Sequence, residues 1–139
     1  MIFGVGVDLL RVERMQKVFE RHGERLVQRI LMDAEIKELR RRKNPARRLA
    51  FSFAAKEAFV KALGTGFRGV GYRDAGVCHQ PSGKPMLIYS ARMRARLKRE
   101  GICGGHVSLT DEGGMCCAMV VLEAAALKPR MTLRNSVRS

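Results

Sequence analysis

The stretch FSFAAKEAFVKALGTG, residues 51–66, decides how the rest of the chain is read. Phe51, Phe53, Ala54, Ala55, Ala58, Phe59, Val60 and Leu63 cover most faces of a helix, and a helix apolar nearly all round belongs in a core. Asn44-Pro45 upstream offers a capping side chain and a first-turn proline, and Gly64 offers the stop. A buried central helix from Asn44-Pro45 to Leu63 is therefore predicted. Glu57 and Lys61 interrupt it four residues apart, on one face. On spacing alone they form an ordinary surface pair, contributing about 0.2–0.5 kcal/mol. Apart from Lys56 and Lys61, however, the helix offers little wet surface near Glu57. A buried charge must be paired or metal-bound, so this carboxylate points to a cation or a polar ligand.

Working outward, Ile2 to Asp8 alternates as a strand. Phe3, Val5 and Val7 share one face; Ile2, Gly4, Gly6 and Asp8 share the other. Glycines leave that second face bare, open to close approach. Asp8 at its end reads either as an N-cap for the next segment or as a hard-cation ligand. With Glu57 it would make two carboxylates of the kind that hold Mg²⁺ beside phosphates, although nothing in the sequence brings the two together. Val12 to His22 is helical, with Val12, Met15, Val18 and Phe19 as its apolar stripe, Arg11, Arg14 and Arg21 pointing away, and Gly23 closing it. Arg25 to Leu31 is a second helix. A third begins after Asp33, read as its N-cap, and fades in RRRKN.

Beyond the central helix, Gly64-Thr65-Gly66 ends the helix and bares backbone N–H groups that a phosphate could approach. Thr65 to Tyr72 is a glycine-rich loop. Ala75 to His79 and Pro85 to Tyr89 are short strands joined by QPSGK, which leaves Lys84 free to reach a ligand. Ser90 caps the basic helix ARMRARLKRE, which ends at Gly101. His106 to Leu109 and Met115 to Leu122 flank the turn TDEGG. His106 reads as an ordinary core or surface histidine, or as a donor to a phosphate. Hairpins dominate among mixed elements, so the expected class is α+β, an antiparallel sheet packed around the long helix. One domain is expected over residues 1–126, followed by a loosely ordered basic tail at 127–139.

Composition narrows the function classes. No apolar run approaches the roughly 20 residues of a membrane span, and MIFGVGVDLLRVERM has no basic segment before its apolar run; the default address is the cytosol. The four cysteines show no C-x-x-C spacing and read as reduced, buried, small hydrophobes. A net charge of +14, from 27 basic and 13 acidic residues, attracts polyanions and acidic surfaces. A nucleic-acid binder is the rival reading. Aromatics are only 6%, however, no helix-turn-helix or zinc signature occurs, and Asp8, Glu57 and the glycine loop would have no role. The two carboxylates likewise argue against a catalytically idle interaction protein.

GVGVDLLRVERM near the start, FAAKEAFVKALGTG in the middle, GKP at 83–85 and HVSLTDEGGMCCAMVVLE near the end, in this order and spacing, resemble the holo-acyl carrier protein synthases. These are the small bacterial type of 4'-phosphopantetheinyl transferase. The resemblance covers residues 2–123. It implies transfer of the phosphopantetheine arm of coenzyme A to a serine of an acidic apo-acyl carrier protein, in support of fatty acid biosynthesis. Adenosine 3',5'-bisphosphate leaves and Mg²⁺ is required. The family's metal carboxylates fall on Asp8 and Glu57, its phosphate lysine on Lys61, and its coenzyme A loop on Gly64, Thr65 and Gly66. Lys84, Pro85, His106 and Ser108 fall at the nucleotide, and Arg14, Arg21 and Arg25 would meet the carrier. Glu57, or a water on the metal, would activate the serine. Family members are typically homotrimers with clefts between subunits. Two positions depart from the pattern: Ser52 replaces an arginine, so that a phosphate contact is either lost or taken over by Arg47 or Arg48, and Met115 replaces an aromatic residue.

Overall fold

Glycines and prolines punctuate the described residues, 1–126, of this computed structural model into β1 (Ile2–Arg11), α1 (Val12–His22), α2 (Glu24–Ile30), α3 (Asp33–Arg40), α4 (Pro45–Leu63), β2 (Ala75–His79), β3 (Pro85–Tyr89), α5 (Ala91–Arg99), β4 (Ile102–Glu112) and β5 (Met115–Ala124). The basic tail expected at 127–139 lies outside the described residues. No helix among the described residues is long and apolar enough to cross a membrane.

α4 forms as its ends dictate. Asn44 Oδ1 accepts from the Arg47 N–H at 3.2 Å and Pro45 occupies the first turn. Gly64 closes the helix at φ 86°, donating to the Val60 and Lys61 carbonyls. Leu49, Ala50, Ala54, Ala58 and Phe59 are wholly buried, so α4 is the spine of the core. It lies on an antiparallel three-stranded sheet of order β1-β5-β4. β2 and β3 make a separate hairpin rather than extending that sheet.

The bare face of β1 is where α4 docks. A Cβ on Gly6 would stand 1.8 Å from the Ala58 carbonyl oxygen, and one on Gly4 would stand 1.9 Å from that of Ala62. Only glycine lets strand and helix backbones touch here. The opposite face of β1 has no cover among the described residues: Val5, Val7 and Leu9 are 50–63% exposed.

Several boundaries differ from the sequence reading. β1 continues past Asp8 to Arg11, β4 runs from Ile102 to Glu112 instead of His106 to Leu109, and β5 reaches Ala124. Pairing with β5 carries β4 through Gly104, Gly105 and Asp111 against their low strand preference. The turn shrinks to Gly113-Gly114, both at positive φ, as a tight hairpin needs. α2 starts one residue early, at Glu24. Asp33 is the first residue of α3 and not its cap. Instead the Glu35 carboxylate reaches back to the Met32 N–H at 3.0 Å. The cysteines are all free, but only Cys78 and Cys116 are buried; Cys117 is half-buried and Cys103 is exposed.

Candidate active site

Asp8, Ala118 and Leu109 form one row across the sheet. Ala118 is wholly buried, so this row faces α4. The close contact of Gly6 with Ala58 and Ala62 brings the helix face carrying Glu57 and Lys61 against Asp8. Lys61 Nζ donates to the Val7 carbonyl at 3.0 Å and to Asp8 Oδ1 at 3.2 Å. Lys61 therefore pairs across the strand, where helical spacing alone had paired it with Glu57. Burial, then the charge of Asp8, pushes the Glu57 carboxyl above its ordinary value; Lys61 and Arg14 offset this only in part.

Two half-buried carboxylates, one of them disfavoured in its charged form by the other, make a hard-oxygen donor set suited to a divalent cation such as Mg²⁺. No third His, Cys, Asp or Glu among the described residues completes a metal-binding group with them. Such an ion would keep positions for substrate oxygens. Gly64, Thr65 and Gly66 follow Lys61 directly. Gly64 and Gly66 have positive φ and open space where a Cβ would be, so a ligand can approach their backbone. Lys56, read from the sequence as wet, is 2% exposed and tied to Glu35.

The remaining expected residues lie elsewhere on the chain. Pro85 lines a cavity of about 330 Å³ at the N-terminal end of α4, together with Arg42, Lys43, Arg47, Arg48 and His79; Lys84 precedes Pro85 in the hairpin. Arg47 pairs with Asp111 at 2.7 Å, and Arg48 Nη2 donates to Glu38 at 2.7 Å and to the Val77 carbonyl at 2.8 Å. Burial would raise the Glu38 carboxyl, but the His79 N–H and ring and the Arg48 charge together hold it below its ordinary value. Ser52 is buried, and its Oγ, like Arg48 Nε, has no hydrogen-bond partner among the described residues. From Arg47 to Lys61 the helix rises about 21 Å. His106 and Ser108 share rows with Val121 and Met119, and so with Val5 and Val7. That places them on the uncovered outer face, opposite Asp8. His106 Nε2 lies 3.5 Å from Glu123.

The basic cavity around Arg42, Lys43, Arg48 and His79 was not assigned from the sequence as a unit. Its one linear signal was the run RRRKNPARR, which gives no hint of His79. Arg14 and Arg21 on α1 and Arg25 on α2 are exposed. Arg25 borders a second cavity, of about 500 Å³, with Val18, His22, Leu26, Phe53 and Tyr72. This surface thus combines cations with an apolar recess.

The family model of the 4'-phosphopantetheinyl transferase superfamily matches residues 4–109. A holo-[acyl-carrier-protein] synthase of Nitrosospira multiformis is 41% identical over 124 residues, 88% of this chain and 99% of that protein. The crystal structure of the synthase from Neisseria meningitidis superposes with a TM-score of 0.84 at 38% identity, covering 88% of this chain and 99% of that one. The synthase from Bacillus anthracis, solved in complex with CoA (3',5'-ADP), superposes with a TM-score of 0.74 at 31% identity, covering 90% of this chain and 99% of that one. The residues matched by the family model include Asp8 on β1 and the whole of α4, and the chain belongs to the 4'-phosphopantetheinyl transferase superfamily, among its holo-acyl carrier protein synthases.

Proposed function

We propose that this protein transfers the 4'-phosphopantetheine arm of coenzyme A to a serine hydroxyl of an acyl carrier protein. The convergence of Asp8, Glu57 and Lys61 beside the bare Gly64–Gly66 backbone carries the reading. The serine oxygen forms a bond to the phosphorus next to pantetheine. The pyrophosphate P–O bond breaks, and its electron pair leaves with adenosine 3',5'-bisphosphate. Such transfers depend on positioning and charge neutralisation. Asp8 and Glu57 would hold Mg²⁺, which when bound neutralises pyrophosphate charge. Lys61, half exposed on one side of Asp8, supplies a second positive charge to the leaving phosphate. Burial and the Asp8 charge hold the Glu57 carboxyl above its ordinary value, so its carboxylate, or a water beside it, would accept the serine proton. The Gly64 and Gly66 backbone admits the substrate phosphates.

A second copy of the chain is needed to complete this site. His106 and Ser108 lie on the same outer face as the exposed Val5, Val7 and Met119. An apolar face of this kind is covered by association, which delivers these residues to a neighbour's Asp8 and Glu57. A homotrimer closes such contacts in a ring. The basic cavity lined by Arg47, Arg48 and Pro85, with Lys84 next to it in the hairpin, takes the nucleotide phosphates, with the two arginines standing in for the family's arginine at Ser52. Arg14, Arg21 and Arg25 meet the acidic carrier, whose apolar side chains fit the recess of Val18, Leu26 and Phe53. Residues 1–126 carry all of this activity, and it operates in the cytoplasm, where fatty acids are built.

Incubation with apo-carrier protein, coenzyme A and Mg²⁺, followed by intact mass measurement, tests the reading. The carrier gains one phosphopantetheine; a carrier of unchanged mass rejects it.

A further inference from the structure

Lys56 is a large side chain that is wholly buried although it is cationic, and it adjoins Glu57 in the chain. Its ammonium donates to Glu35 Oε1 at 2.6 Å and to the Ala75 carbonyl at 2.7 Å. Glu35, 0% exposed, also accepts from the Met32 N–H at 3.0 Å and the Val77 N–H at 3.1 Å. Three elements thus meet at one ion pair: α3 with its cap, α4 and β2. Gly76 is part of the arrangement, because a Cβ there would stand 2.4 Å from Glu35 Oε1. Burial drives the Lys56 ammonium toward its neutral form, and the Glu35 carboxylate opposes this. Buried ion pairs rarely stabilise more than an apolar replacement would, so stability alone does not account for this one.

Geometry gives it another task. Successive residues on a helix point about 100° apart, so Lys56 faces α3 and β2 while Glu57 faces β1. The glycine face of β1 fixes how closely α4 approaches the sheet. These contacts hold one face of the helix; its turn about its own axis is set only when another face is anchored as well. A turn of about 20° would move a carboxylate at the helix's outer radius, about 5–6 Å, by about 2 Å. That is enough to separate Glu57 from Asp8 as partners for one cation.

We propose that Lys56 is a positioning residue: its attachment to Glu35 and the Ala75 carbonyl, with room left by Gly76, sets the rotation of α4 and so the spacing of Glu57 from Asp8. The assignment of Asp8 and Glu57 to a cation, on which this rests, belongs to the reading above. The test uses the full chain and two variants. Lys56→Met with Glu35→Leu removes both buried charges together, avoiding an orphaned one. Gly76→Ala leaves both charges and displaces Glu35. The readouts are the melting temperature, Mn²⁺ binding by electron paramagnetic resonance in the presence of coenzyme A, and kcat and KM for the carrier. The expected result is folded variants in which Mn²⁺ affinity and kcat fall together, tenfold or more in the double variant and less in Gly76→Ala, with carrier KM unchanged. A folded double variant with the parent's Mn²⁺ affinity and kcat overturns the proposal, as does a loss confined to carrier KM. Failure of the unsubstituted chain to transfer phosphopantetheine would count against the transferase reading, while the Mn²⁺ measurement would still decide the role of Lys56.

Discussion

Lys61 Nζ sits 3.2 Å from Asp8 Oδ1, joining the last turn of α4 to the inner face of β1. The pair links two segments that are distant in sequence and leaves Glu57, the other carboxylate of the site, without an equal counter-charge. The chemistry proposed above follows from that imbalance.

Removing either carboxylate charge should abolish transfer. Asp8→Asn and Glu57→Gln each lose several kcal/mol of transition-state stabilisation, or about a thousandfold in kcat. Circular dichroism should show both variants folded, and steady-state assay should show the loss. Parent-like activity in either would remove that residue from the cation site.

Stability should trade against activity at Glu57. An unfolded glutamate titrates near 4.5 and the folded Glu57 titrates above that value. Between the two values the folded chain keeps a proton that the unfolded chain has lost. Stability from this group is therefore full below about 4.5 and falls as pH rises through the folded value. Glu57→Gln should accordingly melt at the parent's temperature or a few degrees above it at pH 7–8. The difference should vanish near pH 4. Mg²⁺ should raise the parent's melting temperature more at pH 8 than at pH 5, and calorimetry across that range measures both effects.

Carrier docking should be separable from chemistry. Arg21→Glu with Arg25→Glu reverses two exposed charges that do not touch the Asp8 site. Carrier KM should rise tenfold or more with little change in kcat, and raising salt should weaken the parent toward the variant. An unchanged KM would move the carrier to another face.

The outer face of the sheet should govern assembly. Val7→Lys places a charge in the middle of the exposed Val5, Val7 and Leu9 row. Sedimentation should show a shift toward monomer, and transfer should fall with it although Asp8, Glu57 and Lys61 are untouched. A fully active monomer would show that one chain contains the whole site.

How much of this was legible in the sequence depended on whether a signal was local. α4 was readable from Asn44, Pro45 and Gly64 because caps act within a turn. The hairpin strands β2 and β3 were readable because the turn residues QPSGK separate two short runs that pair directly across them. β4 was cut short in the reading because Gly104, Gly105 and Asp111 disfavour strands locally, whereas their pairing with β5 is a long-range gain. The cap of α3 was misplaced for a related reason. Asp33 is the better local cap, but Glu35 is already held by Lys56 and β2, and its carboxylate satisfies the Met32 N–H from there. Lys56 itself was read as solvated because nothing adjacent in sequence announces a buried partner 21 residues away. Likewise, the motifs name His106 without saying which face of the sheet it takes; strand parity, which depends on the pairing with β5, puts it on the face opposite Asp8.

The glycines of β1 have a consequence for folding errors. A sheet strand has two faces, and a slip of one residue exchanges them. In most strands the penalty for such a slip is spread over many contacts. In β1 it is concentrated: the slip would drive Val5 and Val7 into the backbone of α4, where even a methyl group at Gly6 has no room. The mispaired chain would be rejected by steric exclusion before any chemistry was tested. The placement of Asp8 opposite Lys61 is therefore proofread by two residues that carry no functional group.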